Sequence, residues 1–336
     1  MEGQRKPLSF KSRTLLIYFL CLLSFLFFAV YKLAVLNHGE AGVEEMARAS
    51  QIMQDAENAL RLCHDDKGLV FDERADVNRT GLIGLETSSI TTTLGNLEAK
   101  RTTTNPNFAA LLVLLLTKAG VKSGETIAVG ASGSFPALII AALSAAKAMN
   151  LKPLLICSLG ASQWGANNPD FSWLEMQSCL ETAGIFAYRP LAVSLGGEGD
   201  TGQDMSPEGR ALLLEKIQKA GFFFINESSL EVNVKLRMRL YEENAGASPV
   251  KAFINIGGSW ANVGTDPSVL KLEPGLSRVN SFPIPGKRGV LQEMASLGIP
   301  VIHLLHIKGV AQRYGLPWDP HALPRPGEGA IYRLKG

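Results

Sequence analysis

No surplus of charge of either sign marks this chain: 33 Lys and Arg stand against 31 Asp and Glu in 336 residues, a formal net charge of +2. Nucleic acid is therefore not expected as a main partner, because binding phosphates ordinarily takes a strongly basic patch. Cysteine is scarce, occurring at 21, 63, 157 and 179, and no Cys-x-x-Cys or Cys/His spacing appears. That speaks against a zinc site and against a disulfide framework. Cys21 falls in the hydrophobic N-terminal segment; of the remaining three, Cys157 and Cys179 are expected as buried free thiols. No set of His, Asp and Glu has metal-ligand spacing, so no metal is expected. Nor is a cofactor: GASGSFPA at 130–137 lacks Gly-x-Gly-x-x-Gly, and no Gly-Lys-Ser/Thr follows it.

Apolar residues are plentiful, at 46% of the chain, enough for one large domain and an appendage. Arg5, Lys6, Lys11 and Arg13 precede an apolar run, TLLIYFLCLLSFLFFAVYKLAVL, from Thr14 to Leu36. About twenty such residues cross a bilayer core. Lys32, near the end of the run, can snorkel to the headgroups. Basic residues before the span and Glu40, Glu44 and Glu45 after it predict a cytoplasmic N-terminus and an extracytoplasmic main domain. A cleaved signal peptide would have a shorter core and an Ala-x-Ala site. The length of the run and the lack of that site favour an uncleaved single-pass anchor in the cell membrane.

The organisation that follows is a basic tail (1–13), the anchor (14–36), a stalk helix (41–64), an α/β domain (65–316) and a Pro-rich tail (317–336) expected to lie extended on the surface. In the stalk, Met46, Met53 and Leu60 recur every seventh residue, with Val43, Ala49, Ala56 and Cys63 on the same face and Glu45, Arg48, Gln51, Asp55 and Arg61 opposite. That amphipathic pattern predicts packing on its own domain. A hydroxyl-rich tract from Glu86 to Thr104 reads either as the lining of a polar groove around Lys100 and Arg101 or as half-exposed strand and loop surface. Asn105 and Pro106 then cap an apolar helix to about Lys118.

Beyond it, apolar strands and helical stretches alternate. Strands are predicted at Thr126–Val129, Pro153–Ser158, Pro190–Ser194, Phe222–Ile225, Lys251–Ile256 and Pro300–Leu305, and helices at 136–149, 172–183, 207–220, 229–245 and 289–297. Such alternation means βαβ units: a doubly wound, mostly parallel sheet with helices on both faces. The Gly/Pro-rich stretch 257–287 exceeds an ordinary connection and is expected to be functional or to cover the sheet.

Ligands of such sheets bind beyond the carboxyl ends of the strands. Those positions carry GASGSFP (130–136), SLGASQWGANNPD (158–170), SLGGEGDTGQD (194–204), NESS (226–229), NIGGSWANVGTD (255–266) and His306-Ile-Lys308. Loops of Gly, Ser, Asn and Asp suit a polar ligand held by backbone amides and short side chains. The candidate binding residues are Gly130, Ser132, Gly133, Ser134, Ser162, Asn167, Asn255, Ser259, Lys100 and Arg101. Gly130-x-Ser132-x-Ser134 also reads as a loose nucleophile elbow. A hydrolase would then use Ser132 as nucleophile, His306 or His303 as base, and Asp200 or Asp266 as acid. Glu198, Asp200 and Asp204 otherwise read as a solvated acidic loop.

The tract TTTLGNLEAKRTTTNPNFAAL, the corner IAVGASGSFPAL and the stretch CSLGASQWGANNPDFSWLEM, behind a single N-terminal anchor, resemble the poly-γ-glutamate system protein family. The resemblance spans essentially the whole chain outside the N-terminal tail. It implies a membrane-anchored accessory of poly-γ-glutamate synthesis or export, with an ATP-dependent ligase subunit, a small polytopic membrane subunit and the anionic polymer as partners. It names a pathway and no reaction.

Overall fold

The computed structural model describes residues 10–280 and 282–334, with the side chains of residues 10–14, 16 and 29–41 outside the description. The chain divides after Glu44 into two units. The side chains of the predicted tail, 1–13, lie outside the described residues, and the predicted span 14–36 falls on them in part. Among the described residues no helix is long and apolar enough to cross a membrane.

Helix α1 (Phe10–Asp66) contributes to both units. Its stretch beyond Glu45 buries Met46, Ala49, Met53, Ala56 and Leu60 in the domain core, the face that the sevenfold spacing marks. A short helix, α2 (Leu97–Thr103), forms inside the hydroxyl-rich tract, started by the Asn96 side chain accepting from the Ala99 N–H at 2.7 Å. It is followed by α3 (Asn107–Lys118), where Asn105 Oδ1 accepts from the Asn107 N–H.

The alternating region follows the predicted order. It comprises β1 (Thr126–Ser132), α4 (Pro136–Ala148), β2 (Lys152–Ser158), a hairpin of β3 (Asn167–Asn168) and β4 (Phe171–Ser172), α5 (Trp173–Thr182), β5 (Ala192–Ser194) and α6 (Pro207–Ala220). Then come β6 (Phe224–Ile225), α7 (Leu230–Ala245), β7 (Val250–Ile256), α8 (Trp260–Val263), β8 (Gly275–Ser277), α9 (Val290–Ser296), β9 (Val301–Leu304) and α10 (Ile307–Tyr314). Local chemistry accounts for the starts: Pro136 opens α4, Ser172 and Glu175 form a capping box on α5, and Ser206 caps α6 ahead of Pro207.

Seven strands form a mixed, mostly parallel sheet in the order β6-β5-β2-β1-β7-β9-β8, with β8 antiparallel at the edge. Strand parity sorts the core into two clusters. Ile127, Val129, Leu155, Ile254 and Ile302 meet α1, α3 and α4, while Ala128, Leu154, Ile156, Phe253 and Val301 meet α7 and α9. From β1 the chain winds outward through β2, β5 and β6, then returns to β7 on the other side of β1 and continues to β9. The connections leaving β1 and β7 therefore diverge, opening a crevice at the carboxyl edge.

One expectation about the cysteines is corrected and one holds. Cys179 is not a free thiol: it is bonded to Cys63, 6.2 Å away between Cα atoms and 116 residues away in sequence, a pairing with no local spacing to announce it. Cys157 is buried and free, and burial pushes its thiol up. The C-terminal tail runs along the surface and is tied to the domain at several points. Asp319 pairs with Arg101 at 2.6 Å and donates its N–H to Thr102, Ile331 is buried, and Tyr332 bonds Ser50 and Asn107.

Candidate functional site

Strand register draws the site. Ser132 stands opposite Ser158, and Ser158 opposite Ser194, so three serines form a row across the carboxyl ends of β1, β2 and β5. Above Ser132 and Ser158 lies a cleft of about 810 Å³, entered also by Ser259 after β7, His306 and Lys308 after β9, and Thr92, Thr93 and Lys100 of the hydroxyl-rich tract. That volume is in the range of small-ligand sites.

Lys100 is closely held there. It is 3% exposed, because α2 lies across the turns that leave β1 and β2. Its Nζ donates to the Ser134 carbonyl, stands 2.8 Å from Ser162 Oγ, and lies 3.8 Å from the centre of the Phe135 ring. Among the described residues no carboxylate pairs with it. Burial pulls its pKa down to about 7, since an ammonium without a counter-ion is disfavoured away from water. The serines around it are chained. Ser132 Oγ donates to Ser134 Oγ at 3.0 Å, and Ser134 Oγ accepts the Ser162 N–H at 3.0 Å.

Beneath the serine row lies a polar floor sealed from solvent. Asp200 accepts from Ser158, Ser194 and Asn233 and pairs with Arg237 at 2.6 Å. Asp200 is thus a structural anion under the cleft, not part of a solvated loop. Its neighbours in sequence, Glu198 and Asp204, do line the cleft, and burial raises the Asp204 carboxyl.

Of the residues singled out in the sequence, Lys100, Ser132, Ser134, Ser162, Ser259 and His306 line one cleft. The others have different work. Gly130 is inside β1, where a Cβ would come within 2.8 Å of Asn262 and Phe253. Gly133 gives its N–H to the Ser158 carbonyl and its carbonyl to Ala166, fixing the turn between the two serines. Asn167 ties down the 85–91 segment, bonding both backbone groups of Leu85 and the Thr91 hydroxyl. Asn255 is buried and bonds Gly257 and His303; Arg101 is occupied by Asp319.

The triad does not assemble. Ser132 and His306 share the cleft, but among the described residues no hydrogen bond joins Ser132 to either histidine. His303 accepts from Asn255 at Nδ1, Asp200 belongs to Arg237, and Asp266 caps the turn at Ser268. The residue pair that sequence reasoning missed is Lys100–Ser162. Each was singled out as a ligand contact; their meeting across 62 positions has no signature beyond the repeat of Gly-Ala-Ser at 130–132 and 160–162.

Comparison with known proteins finds no matching family model, no matching curated protein and no matching solved structure.

Proposed function

We propose that this chain is a membrane-anchored, extracytoplasmic accessory of poly-γ-glutamate synthesis or export, whose doubly wound domain holds the end of a γ-glutamyl chain in the strand-end cleft. The observation that carries the ligand reading is the division of charge along the cleft. Glu198 and Asp204 enter from the loop after β5, Lys308 from the segment after β9 and Glu98 from α2, and β2, β1 and β7 lie between β5 and β9. Carboxylates and an ammonium at separate places in one cleft suit a ligand bearing both charges. A γ-glutamyl chain has both at its amino end, whereas the middle of the polymer carries carboxylates alone and would be repelled by Glu198 and Asp204.

Two observations support the location. Leu15, Tyr18, Leu22, Phe25 and Leu26 all present large apolar side chains to solvent in the N-terminal unit, which a bilayer would cover. The Cys63–Cys179 bond suits an oxidising compartment outside the cytoplasm. A single-pass anchor would then hold the domain in the compartment where the polymer emerges, with the ligase and the polytopic subunit as its partners.

The test is calorimetric titration of the full chain in detergent with short γ-glutamyl oligomers. Free-amine oligomers should bind, N-acetylated ones at least about fivefold more weakly, and Lys308→Glu should cost a similar factor, corresponding to about 1 kcal/mol per lost ion pair. Equal binding of the two oligomers, or none, would sink the reading. A second reading, an extracytoplasmic hydrolase or transferase acting on γ-glutamyl amide bonds, is favoured by one distance: the 2.8 Å between Lys100 Nζ and Ser162 Oγ.

A further inference from the structure

A buried lysine beside a serine has two roles open to it. As an ammonium it is a tie between loops; as a free amine it is a base. The surroundings of Lys100 separate the two. The titratable groups around the cleft are Glu98 on α2 itself, Glu198 and Asp204 after β5, and His306 and Lys308 at the start of α10. Arg101 and Asp319, next along α2 and on the tail, neutralise each other. Among the described residues no carboxylate forms an ion pair with Lys100. The ammonium would therefore be buried with two neutral acceptors and the Phe135 ring, and burial lowers its pKa to about 7.

In the amine form, one N–H still satisfies the Ser134 carbonyl and the nitrogen lone pair faces Ser162 Oγ, which lies on the cleft wall. A base within 2.6–3.2 Å of the hydroxyl it must deprotonate meets the geometric requirement for an activated nucleophile. Ser134 is a positioning residue: its Oγ accepts the Ser162 N–H while its own carbonyl orients the lysine.

We propose that Lys100 and Ser162 form a serine–lysine acyl-transfer centre that acts on amide bonds of the ligand held in the cleft, the choice of a γ-glutamyl amide resting on the ligand reading above. Ser162 Oγ gives its proton to Lys100 Nζ and bonds to the carbonyl carbon. The C–N bond then breaks, and the leaving nitrogen takes the proton from Lys100, leaving an ester on Ser162. Water, or the amine of a second chain, attacks that ester and passes a proton to Lys100. The Ser162 Oγ–C bond breaks, and Oγ recovers the proton. Water as acceptor shortens the polymer, and an amine acceptor moves a segment to another chain. This reassigns the nucleophile from Ser132 and the base from His306.

The experiment is labelling of the full chain in detergent with a fluorophosphonate probe, which phosphonylates an activated serine and releases fluoride, followed by tryptic mapping. One adduct is expected, on the peptide holding Ser162 and not on the separate peptide holding Ser132 and Ser134. The wild-type labelling rate should rise about tenfold per pH unit below neutrality and level off above about 7, where Lys100 is deprotonated. Lys100→Met and Lys100→Arg should each lower the rate by at least about 100-fold, the arginine keeping the charge but unable to act as a base. No adduct, an adduct on Ser132, a rate flat from pH 6 to 8, or labelling of Lys100→Arg at the wild-type rate would each overturn the proposal. The wild-type pH profile holds whether or not the variants fold. Oligomer binding without an adduct removes this centre alone. An adduct without oligomer binding removes the γ-glutamyl ligand and leaves the centre standing.

Discussion

Arg237 Nη2 and Asp200 Oδ2 meet at 2.6 Å with both side chains closed to solvent, directly under the serine row. The aspartate also holds Ser158 and Ser194, and the arginine reaches Ser194 and Asn233. Removing one member leaves an uncompensated buried charge, which costs about 3–5 kcal/mol. Arg237→Met should lower the unfolding free energy by that amount in a denaturant titration. Adding Asp200→Asn should restore part of the loss, because the stranded charge goes with it. Additive losses in the double variant would contradict the coupling.

The disulfide between Cys63 and Cys179 makes a countable claim. Under denaturing, non-reducing conditions an alkylating reagent should modify Cys21 and Cys157 only, and after reduction all four cysteines. Cys63→Ser or Cys179→Ser should cost about 2–5 kcal/mol, towards the upper end because the closed loop is long. Four alkylated cysteines before reduction would refute the bond.

His303 should make the fold acid-sensitive. Asn255 Nδ2 donates to its Nδ1 at 3.0 Å, so the imidazole is neutral with its proton on Nε2. Burial pulls its pKa down to about 4, against 6.5 for the free side chain. A base with a lowered folded pKa binds fewer protons folded than unfolded between those values. Its stabilising contribution is therefore complete above pH 6.5 and is lost as pH falls towards 4, up to about 3 kcal/mol in all. The slope of stability against pH in that window should flatten in His303→Gln; an unchanged slope would assign the acid sensitivity elsewhere.

Much of the sheet was legible because its punctuation is local. Pro136, Ser206-Pro207 and the Ser172/Glu175 pair each announce a helix start within four residues, and the apolar strands between them have one reading. Helix α2 was not legible, since a tract of threonines argues for strand. It forms because Asn96 caps it, and because it buries Lys100, Thr102 and Thr103. The edge strand β8 lay hidden in a Gly/Pro-rich stretch, its three residues having meaning only beside β9. At the site, composition pointed to the edge that carries the cleft but could not sort surface from interior. Asn255 and Ser259 sit four positions apart in one loop-like run, yet register pairs Asn255 with Gly130 and His303 inside the sheet. Lys100 and Ser162 come together through the crossing of α2 over two turns, a three-dimensional event whose trace in the sequence is the repeat of Gly-Ala-Ser.

The Cys63–Cys179 bond also divides the cleft by covalent status. Lys100, Ser132, Ser134 and Ser162 all lie inside the loop that it closes, whereas Ser259, His306 and Lys308 lie outside it. When the non-covalent structure melts, the ring limits how far the lysine can separate from these serines, while Glu198, Asp204, Ser259, His306 and Lys308 remain tethered only through the open chain beyond Cys179.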